Sequence, residues 1–154
     1  MKMDGEIRVK TEGKYGSLYN DLKNLVVGDF HEIFFVCACL GIKNKKTKAL
    51  GKDKEDRFWS KTINPREWAC YYAAVLEENN MDFNSIQDDK RVISRVEEYA
   101  NGGMELLVDV FLKDYLLQSS NGFQLDSGVS QEISKEFLYF IFDQVDSTTQ
   151  TIDS

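Results

Sequence analysis

The chain has 154 residues, of which 42% are hydrophobic, 12% aromatic and 29% charged. One Pro and ten Gly exclude collagen-like and proline-rich chains, and a chain of this length can bury a core without a disulfide or a structural metal. The formal net charge of -7 argues against a protein whose whole surface embraces nucleic acid or an anionic membrane.

Two short strands are predicted. Residues 6–10 alternate charged and β-branched side chains, which is the pattern of a half-buried strand. Residues 57–63 are rich in aromatic and β-branched side chains. We expect the two segments to pair as a small ribbon.

Two helices are predicted between these strands. The first has an apolar stripe at Leu18, Leu22, Leu25 and Val26 and is expected to end at Gly28. Asp29 and Glu32 have the spacing of a capping box, which starts the second helix. Its unbroken apolar run, residues 33–40, indicates burial on nearly all sides, and Gly41 is placed to cap its end.

The third helix has the clearest start signal in the chain. Asn64 is a capping residue, Pro65 occupies the first helical position and Glu67 the third. We expect this helix to stop at Asn79 and to be followed by a polar connection anchored by Phe83 and Ile86.

Three more helices are predicted from the remaining periodicity. A fourth covers residues 90–100 and a fifth runs from Met104 towards Leu117, because Asn101, Gly102 and Gly103 favour a stop or a kink. A break at 119–122 precedes a sixth helix that Ser130 caps. The expected fold is therefore mainly α: a single domain of about six helices over residues 1–146, with a two-stranded ribbon and a frayed tail at 147–154.

Cysteine usage and the apolar segments bear on the compartment. Cys37, Cys39 and Cys70 lie in apolar helical contexts, so we interpret them as small buried hydrophobes in a reducing compartment. A helix turns Cys37 and Cys39 about 200° apart, which disfavours one shared metal site. Without a signal-peptide pattern or an apolar run of ~18 residues, we expect a cytoplasmic protein with no membrane contact. The sequence also contains no nucleotide-binding motif, and we expect no cofactor.

Catalytic residues are sparse. His31 is the only histidine, and the sequence near it offers no Cys or Ser partner for nucleophilic catalysis. The acidic pairs at 77–78, 88–89 and 97–98 resemble solvated helix faces more than converging carboxylates. We therefore expect no enzymatic activity, and a hydrolase centred on His31 or on these acids is the third hypothesis.

A basic segment follows the second helix. Residues 42–54 contain six lysines and one acidic residue, Asp53. The pattern favours a mobile solvated loop, but contact with nucleic-acid phosphates stays open as an alternative. The lysines that would carry this contact are Lys43, Lys45, Lys46, Lys48 and Lys52.

The helices hold more aromatic side chains than a core of this size can hide. We expect an apolar docking face for a protein partner, since interface cores are enriched in aromatic residues. The candidate interface residues are Tyr115, Leu116 and Leu117, together with Leu138, Phe142 and Val145 of the last helix.

One block of the sequence resembles a known family. Residues 97–107 read EEYANGGMELL, which is similar to the EEYANGGLEIL block of the DNA phosphorothioation-associated protein four family, also called Dnd system-associated. Residues 34–43 and 68–76 resemble two other helical segments of that family in the same order, and the match covers roughly residues 15–118. Met104 stands in place of the more usual Leu, and the basic loop is long.

The resemblance implies a context more than a chemistry. It implies a small accessory subunit of a prokaryotic DNA-modification or anti-phage defence system, bound to a larger ATPase or nuclease. It supplies no catalytic residues. The sequence therefore favours a non-catalytic accessory subunit, with a DNA-contacting regulator or adaptor that uses the basic loop at 43–54 as the alternative.

Overall fold

A computed structural model describes residues 7–25, 28–117, 123–126, 128 and 130–153, without the side chains of Leu25, Ser130, Gln131 and residues 145–153. The described chain is mainly helical with one small antiparallel sheet, which confirms the predicted fold class. Its elements are β1 (Arg8–Glu12), α1 (Gly16–Leu25), α2 (Phe30–Lys43), β2 (Lys54–Trp59), α3 (Pro65–Glu78), α4 (Asp89–Val110) and α5 (Ser130–Asp153). Short 3-10 turns cover Gly13–Tyr15, Ser60–Thr62, Phe83–Ile86 and Leu112–Tyr115.

The predicted ribbon is present with shifted boundaries. β1 and β2 pair antiparallel, with Val9 opposite Phe58 and a bulge immediately after Val9. Both of these side chains are buried in the core, whereas Lys10 and Asp56 form an exposed ion pair. Period-two alternation therefore identified the strand correctly, because one face of the ribbon lies on the helices.

The caps of α2 and α3 differ. At α3, the Asn64 side chain accepts the backbone N–H of Glu67 at 2.9 Å and the Glu67 carboxylate accepts that of Asn64 at 3.0 Å, so the predicted capping box is confirmed. At α2, Asp29 is the N-cap residue but makes no side-chain capping bond, so the capping box predicted there is wrong. Gly41 does not end α2 either, because the helix continues to Lys43.

The predicted break at Asn101, Gly102 and Gly103 is also wrong. α4 runs without interruption from Asp89 to Val110, so the predicted fourth and fifth helices are one helix, and the described chain has five α-helices. The cause is tertiary packing. Asn101, Gly102 and Gly103 are buried, and the two glycines let neighbouring backbone approach α4 closely. This contact outweighs the ~1 kcal/mol by which each helical Gly disfavours a helix relative to Ala.

The core gathers side chains from every α-helix and from both strands. Phe34 of α2 packs edge-on against Phe58 and Tyr71, with ring centroids 5.2 Å and 6.2 Å away. Ile133 and Phe137 attach α5 to this core. The two predicted anchors of the connection between α3 and α4 differ, since Ile86 packs against the core whereas Phe83 is 64% exposed.

The last helix extends further than expected. α5 continues to Asp153. Residues 147–153, which are predicted to form part of a frayed tail, are therefore helical. The break predicted at 119–122 lies outside the described residues. Across the part of the chain that the structure describes, no helix has both the length and the apolar character required to cross a bilayer.

Candidate functional site

Three neighbouring side chains of α5 are apolar groups that face solvent. Leu138 is 68% exposed, Tyr139 66% and Phe142 68%. Positions 138 and 142 are about one turn apart and 139 lies beside them, so the three share one side of the helix. We call Leu138, Tyr139 and Phe142 the outward face of α5. Leu138 and Phe142 are two of the predicted interface residues. Tyr139 is not among the residues predicted from the sequence.

Charged residues border the outward face. Glu132, Glu136 and Asp143 are exposed, and Lys135 is the one basic residue of α5. This border is acidic overall, so a complementary partner surface would carry basic side chains around an apolar centre. Val145, the third interface residue predicted on this helix, has its side chain outside the described part of the chain.

The other three predicted interface residues follow α4. Leu117 donates its backbone N–H to the Gln124 carbonyl at 2.9 Å, and Asp126 donates to the Tyr115 carbonyl at 2.8 Å. Tyr115 and Leu116 are half-buried and pack against the core. Leu117 is 39% exposed. Tyr115 and Leu116 are therefore committed mainly to internal packing, which leaves Leu117 and the outward face of α5 as the exposed part of the prediction.

An apolar groove of about 580 Å³ lies between α2, α3 and α5. Its apolar lining includes Val36, Leu40, Ala73 and Ile141, and its charged lining residues are Lys43 and Glu77. A lining of this kind suits an apolar group better than a charged substrate.

The basic loop, residues 43–54, is held against the protein at several points. Lys46 lies 3.0 Å from the Glu105 carboxylate, and Lys48 pairs with the same carboxylate. These two lysines lower the pKa of Glu105 to about 2. Lys43 donates to the backbone carbonyl of Gln144. Three of the five lysines predicted for nucleic-acid contact, Lys43, Lys46 and Lys48, thus make contacts within the protein. Lys45 and Lys52 are exposed, as are Lys43 and Lys48.

Backbone contacts add to this anchoring. The backbone N–H of Lys48 donates to the Glu98 carbonyl at 3.0 Å. The buried Asn101 side chain donates to the carbonyl of Lys48 at 3.2 Å and lies 3.4 Å from that of Ala49. Residues 46–49, which we expect to be part of a mobile loop, are therefore bound to α4. The signal for this was the polar Asn101 amid apolar helix positions, but its partners are 52 and 53 residues away in the chain.

His31 lies near the start of α2 and contacts α3. Its Nδ1 atom is 2.9 Å from Oε1 and 3.2 Å from Oε2 of Glu67, whose side chain is 6% exposed. The contact joins residues 36 positions apart, so no local pattern could reveal it. The polar contacts that the described part of the chain provides for His31 are the carboxylates of Glu67 and Asp29, and this geometry gives the nucleophilic hypothesis no support.

The cysteines and carboxylates depart from expectation at two positions. Cys37 is buried, which raises the pKa of its thiol to about 12, and Cys39 is half-buried. Cys70 is exposed, so its predicted burial is wrong. Glu97 is half-buried instead of solvated, and the loss of hydration raises its pKa to about 7.

The chain matches no protein-family model, no curated protein and no solved structure at a significant level. The resemblance based on residues 97–107 therefore stays a prediction. In the structure, that block forms the part of α4 that packs against α2 and the basic loop. Its small residues serve close packing, which accounts for the pattern without a bound ligand.

Proposed function

We propose that this protein is a non-catalytic accessory subunit that docks on a larger protein through the outward face of α5. The observation that carries the proposal is the exposure of Leu138, Tyr139 and Phe142 side by side, each about two-thirds exposed. An isolated exposed Leu is ordinary, but a contiguous group with two aromatic rings is typical of the centre of a protein interface.

The charges around this face define the partner that it fits. Among the described side chains of α5, the exposed charged residues are three acids, Glu132, Glu136 and Asp143, and one base, Lys135, so the surroundings of the outward face are acidic overall. The whole chain has a net charge of -7. The matching surface is an apolar groove with a basic rim. Complementary charges of this kind speed association and select the orientation of binding more than they add affinity.

The sequence resemblance supplies the biological context of the proposal. The block at residues 97–107 favours a prokaryotic DNA-modification or anti-phage defence system, with an ATPase or a nuclease as the larger subunit. A DNA-contacting role for the basic loop is the competing hypothesis. The ion pairs of Lys46 and Lys48 with Glu105 favour a structural role for much of that loop.

Co-expression of the full chain with the proteins encoded beside its gene tests the proposal. We expect a stable assembly whose mass gives the stoichiometry, and we expect the double variant Leu138→Glu, Phe142→Glu to lose it while its own melting curve is unchanged. Loss of one central aromatic anchor costs about 2 kcal/mol or more of binding energy, so the double variant should weaken binding by about 30-fold or more.

Phe83→Glu is the matched control because Phe83 is also an aromatic side chain, 64% exposed, on a different element. It should retain the assembly. If the double variant binds as well as the wild type, the outward face is not the docking surface. A self-associated chain without a heterologous subunit would assign the face to a second copy and contradict the proposal. Steeply salt-dependent duplex DNA binding that Lys45→Ala and Lys52→Ala abolish would favour the DNA hypothesis instead.

A further inference from the structure

The imidazole ring of His31 is oriented by a buried carboxylate. Nδ1 of the ring lies 2.9 Å from Oε1 of Glu67, and the same Oε1 accepts the backbone N–H of Asn64 at 3.0 Å. An ionised carboxylate only accepts hydrogen bonds, so the proton of the neutral imidazole lies on Nδ1. The other nitrogen, Nε2, then has its lone pair available on the opposite side of the ring.

That side of the ring faces the carboxylate of Asp29, at the start of the same helix. The Nε2 atom lies 3.8 Å from Oδ2 of Asp29, which is longer than a hydrogen bond. One ligand atom from each of Asp29, His31 and Glu32 lies within 4.8 Å of the other two. Metal–ligand bonds of ~2.0–2.2 Å place two ligands of one ion at roughly 3–4 Å from each other. The 3.8 Å between Nε2 of His31 and Oδ2 of Asp29 lies within this range.

The Asp29 carboxylate does not cap its own helix. An N-cap Asp normally accepts a backbone N–H of the first helical turn, and such a bond contributes ~1 kcal/mol. Asn64 makes this bond at the start of α3, but Asp29 does not make it at the start of α2. The Asp29 side chain instead lies beside His31 and is 64% exposed, so solvent reaches it.

We propose that Asp29, His31 and Glu32 bind a divalent transition-metal ion, with Nε2 of His31 as the nitrogen ligand. One imidazole and two carboxylates form a donor set of borderline character, which suits Zn²⁺, Co²⁺ or Ni²⁺ better than Mg²⁺ or Ca²⁺. Glu67 is the positioning residue, because a carboxylate that accepts from the non-ligating nitrogen fixes the orientation of the ring. Water would fill the remaining coordination positions.

The single histidine makes the test direct. Imidazole ¹⁵N resonances of the untagged full chain report on His31 alone. We expect the Nδ1–H tautomer without metal, and a change of the Nε2 resonance on titration with Zn²⁺. Asp29→Asn and Glu32→Gln should each weaken the apparent affinity for Zn²⁺ by about tenfold or more relative to the wild type. Glu67→Gln should weaken it by ~10–100-fold relative to the wild type, because the ring of His31 is then less well oriented.

Asp53→Asn is the matched control, since Asp53 is an exposed acid on the basic loop, away from α2 and α3. It should leave the Zn²⁺ titration unchanged. Zn²⁺ bound at the exposed Cys70 would leave the His31 resonances unmoved and would overturn the proposal. The same holds if millimolar Zn²⁺ leaves the ring as an imidazolium paired with Asp29, or if Asp53→Asn weakens binding as much as Asp29→Asn does.

Discussion

Gly103 of α4 lies against the carbonyl oxygen of Cys37 in α2, so closely that a β-carbon at position 103 would overlap that oxygen. Gly41 stands in the same relation to the carbonyl of Tyr99. A β-carbon on Gly102 would lie 2.5 Å from the carbonyl oxygen of Lys46. The two central helices and the start of the basic loop thus meet backbone to backbone at three glycines.

Gly103→Ala should lower the free energy of unfolding by about 3 kcal/mol, because backbone on both sides has to move apart to admit the methyl group. Alanine has the higher helix propensity, so propensity alone predicts the opposite sign. Urea denaturation measures the difference. Gly51→Ala is the control, since a β-carbon there meets its nearest heavy atom, a carboxylate oxygen of Glu12, only at 3.5 Å. Equal or greater stability of Gly103→Ala would contradict the packing described for α2 and α4.

The same glycines show where sequence reasoning ends. Local signals predicted the start of α3 correctly, because Asn64, Pro65 and Glu67 form the cap among themselves. The continuity of α4 through Gly102 and Gly103 depends on α2 and the basic loop, which are distant in the chain. The residues at 101–103 would break an isolated helix and so predict a break, but packing against α2 and the basic loop keeps α4 continuous.

The candidate sites divide in the same way. The amphipathic period of α5 identified Leu138 and Phe142 as residues of its second face, and both are exposed. The His31 contact with Glu67 joins two helices that the sequence gives no reason to align. Similarly, the six lysines within residues 42–54 predict a solvated loop. The structure shows that Glu105 and Asn101 of α4 bind part of this loop.

Asn101→Ala should loosen the basic loop without unfolding α4. The substitution removes the side-chain donor that reaches the carbonyls of Lys48 and Ala49 and leaves those carbonyls with fewer partners. We expect a loss of about 1–2 kcal/mol in unfolding free energy and faster amide exchange over residues 46–49. Asn79→Ala, at the exposed end of α3, is the control for loss of an amide side chain. Unchanged exchange at 46–49 would show that Asn101 does not fasten this segment.

Glu105→Gln tests the ion pairs of the basic loop. Lys46 and Lys48 lower the pKa of Glu105 from 4.5 to about 2, so the charged carboxylate stabilises the folded state. This contribution is complete above pH 4.5 and is lost as the pH falls towards 2. Because these groups are partly exposed, we expect the variant to cost only about 0.5–1 kcal/mol at neutral pH and low salt.

The difference between wild type and Glu105→Gln should shrink in high salt and vanish at low pH. Chemical denaturation of both proteins at several salt concentrations measures it. Glu55→Gln serves as the comparison, because Glu55 pairs with Arg57 and does not contact Lys46 or Lys48 in the described part of the chain. A difference that grows as the pH falls would have the wrong sign and would refute the assignment.

Glu97 should make the protein less stable as the pH rises. Burial raises its pKa from 4.5 to about 7, although the backbone N–H of Lys10 donates to its Oε2 at 2.7 Å and opposes the shift. The folded state therefore binds the proton more tightly than the unfolded state does. Below pH 4.5, Glu97 is protonated in both states and does not lower the free energy of unfolding. Between pH 4.5 and 7 the unfolded state loses the proton first, so the free energy of unfolding falls as the pH rises.

Glu97→Gln keeps an acceptor for the N–H of Lys10 and removes the titration. We expect it to match the wild type near pH 4 and to exceed its free energy of unfolding by about 2 kcal/mol above pH ~7. Thermal or urea denaturation across this range measures the difference, and Glu77→Gln, an exposed acid on α3, is the control. If the difference in free energy of unfolding between Glu97→Gln and the wild type stays constant from pH 4 to pH 8, Glu97 does not titrate in this range. Its burial would then not raise its pKa as described.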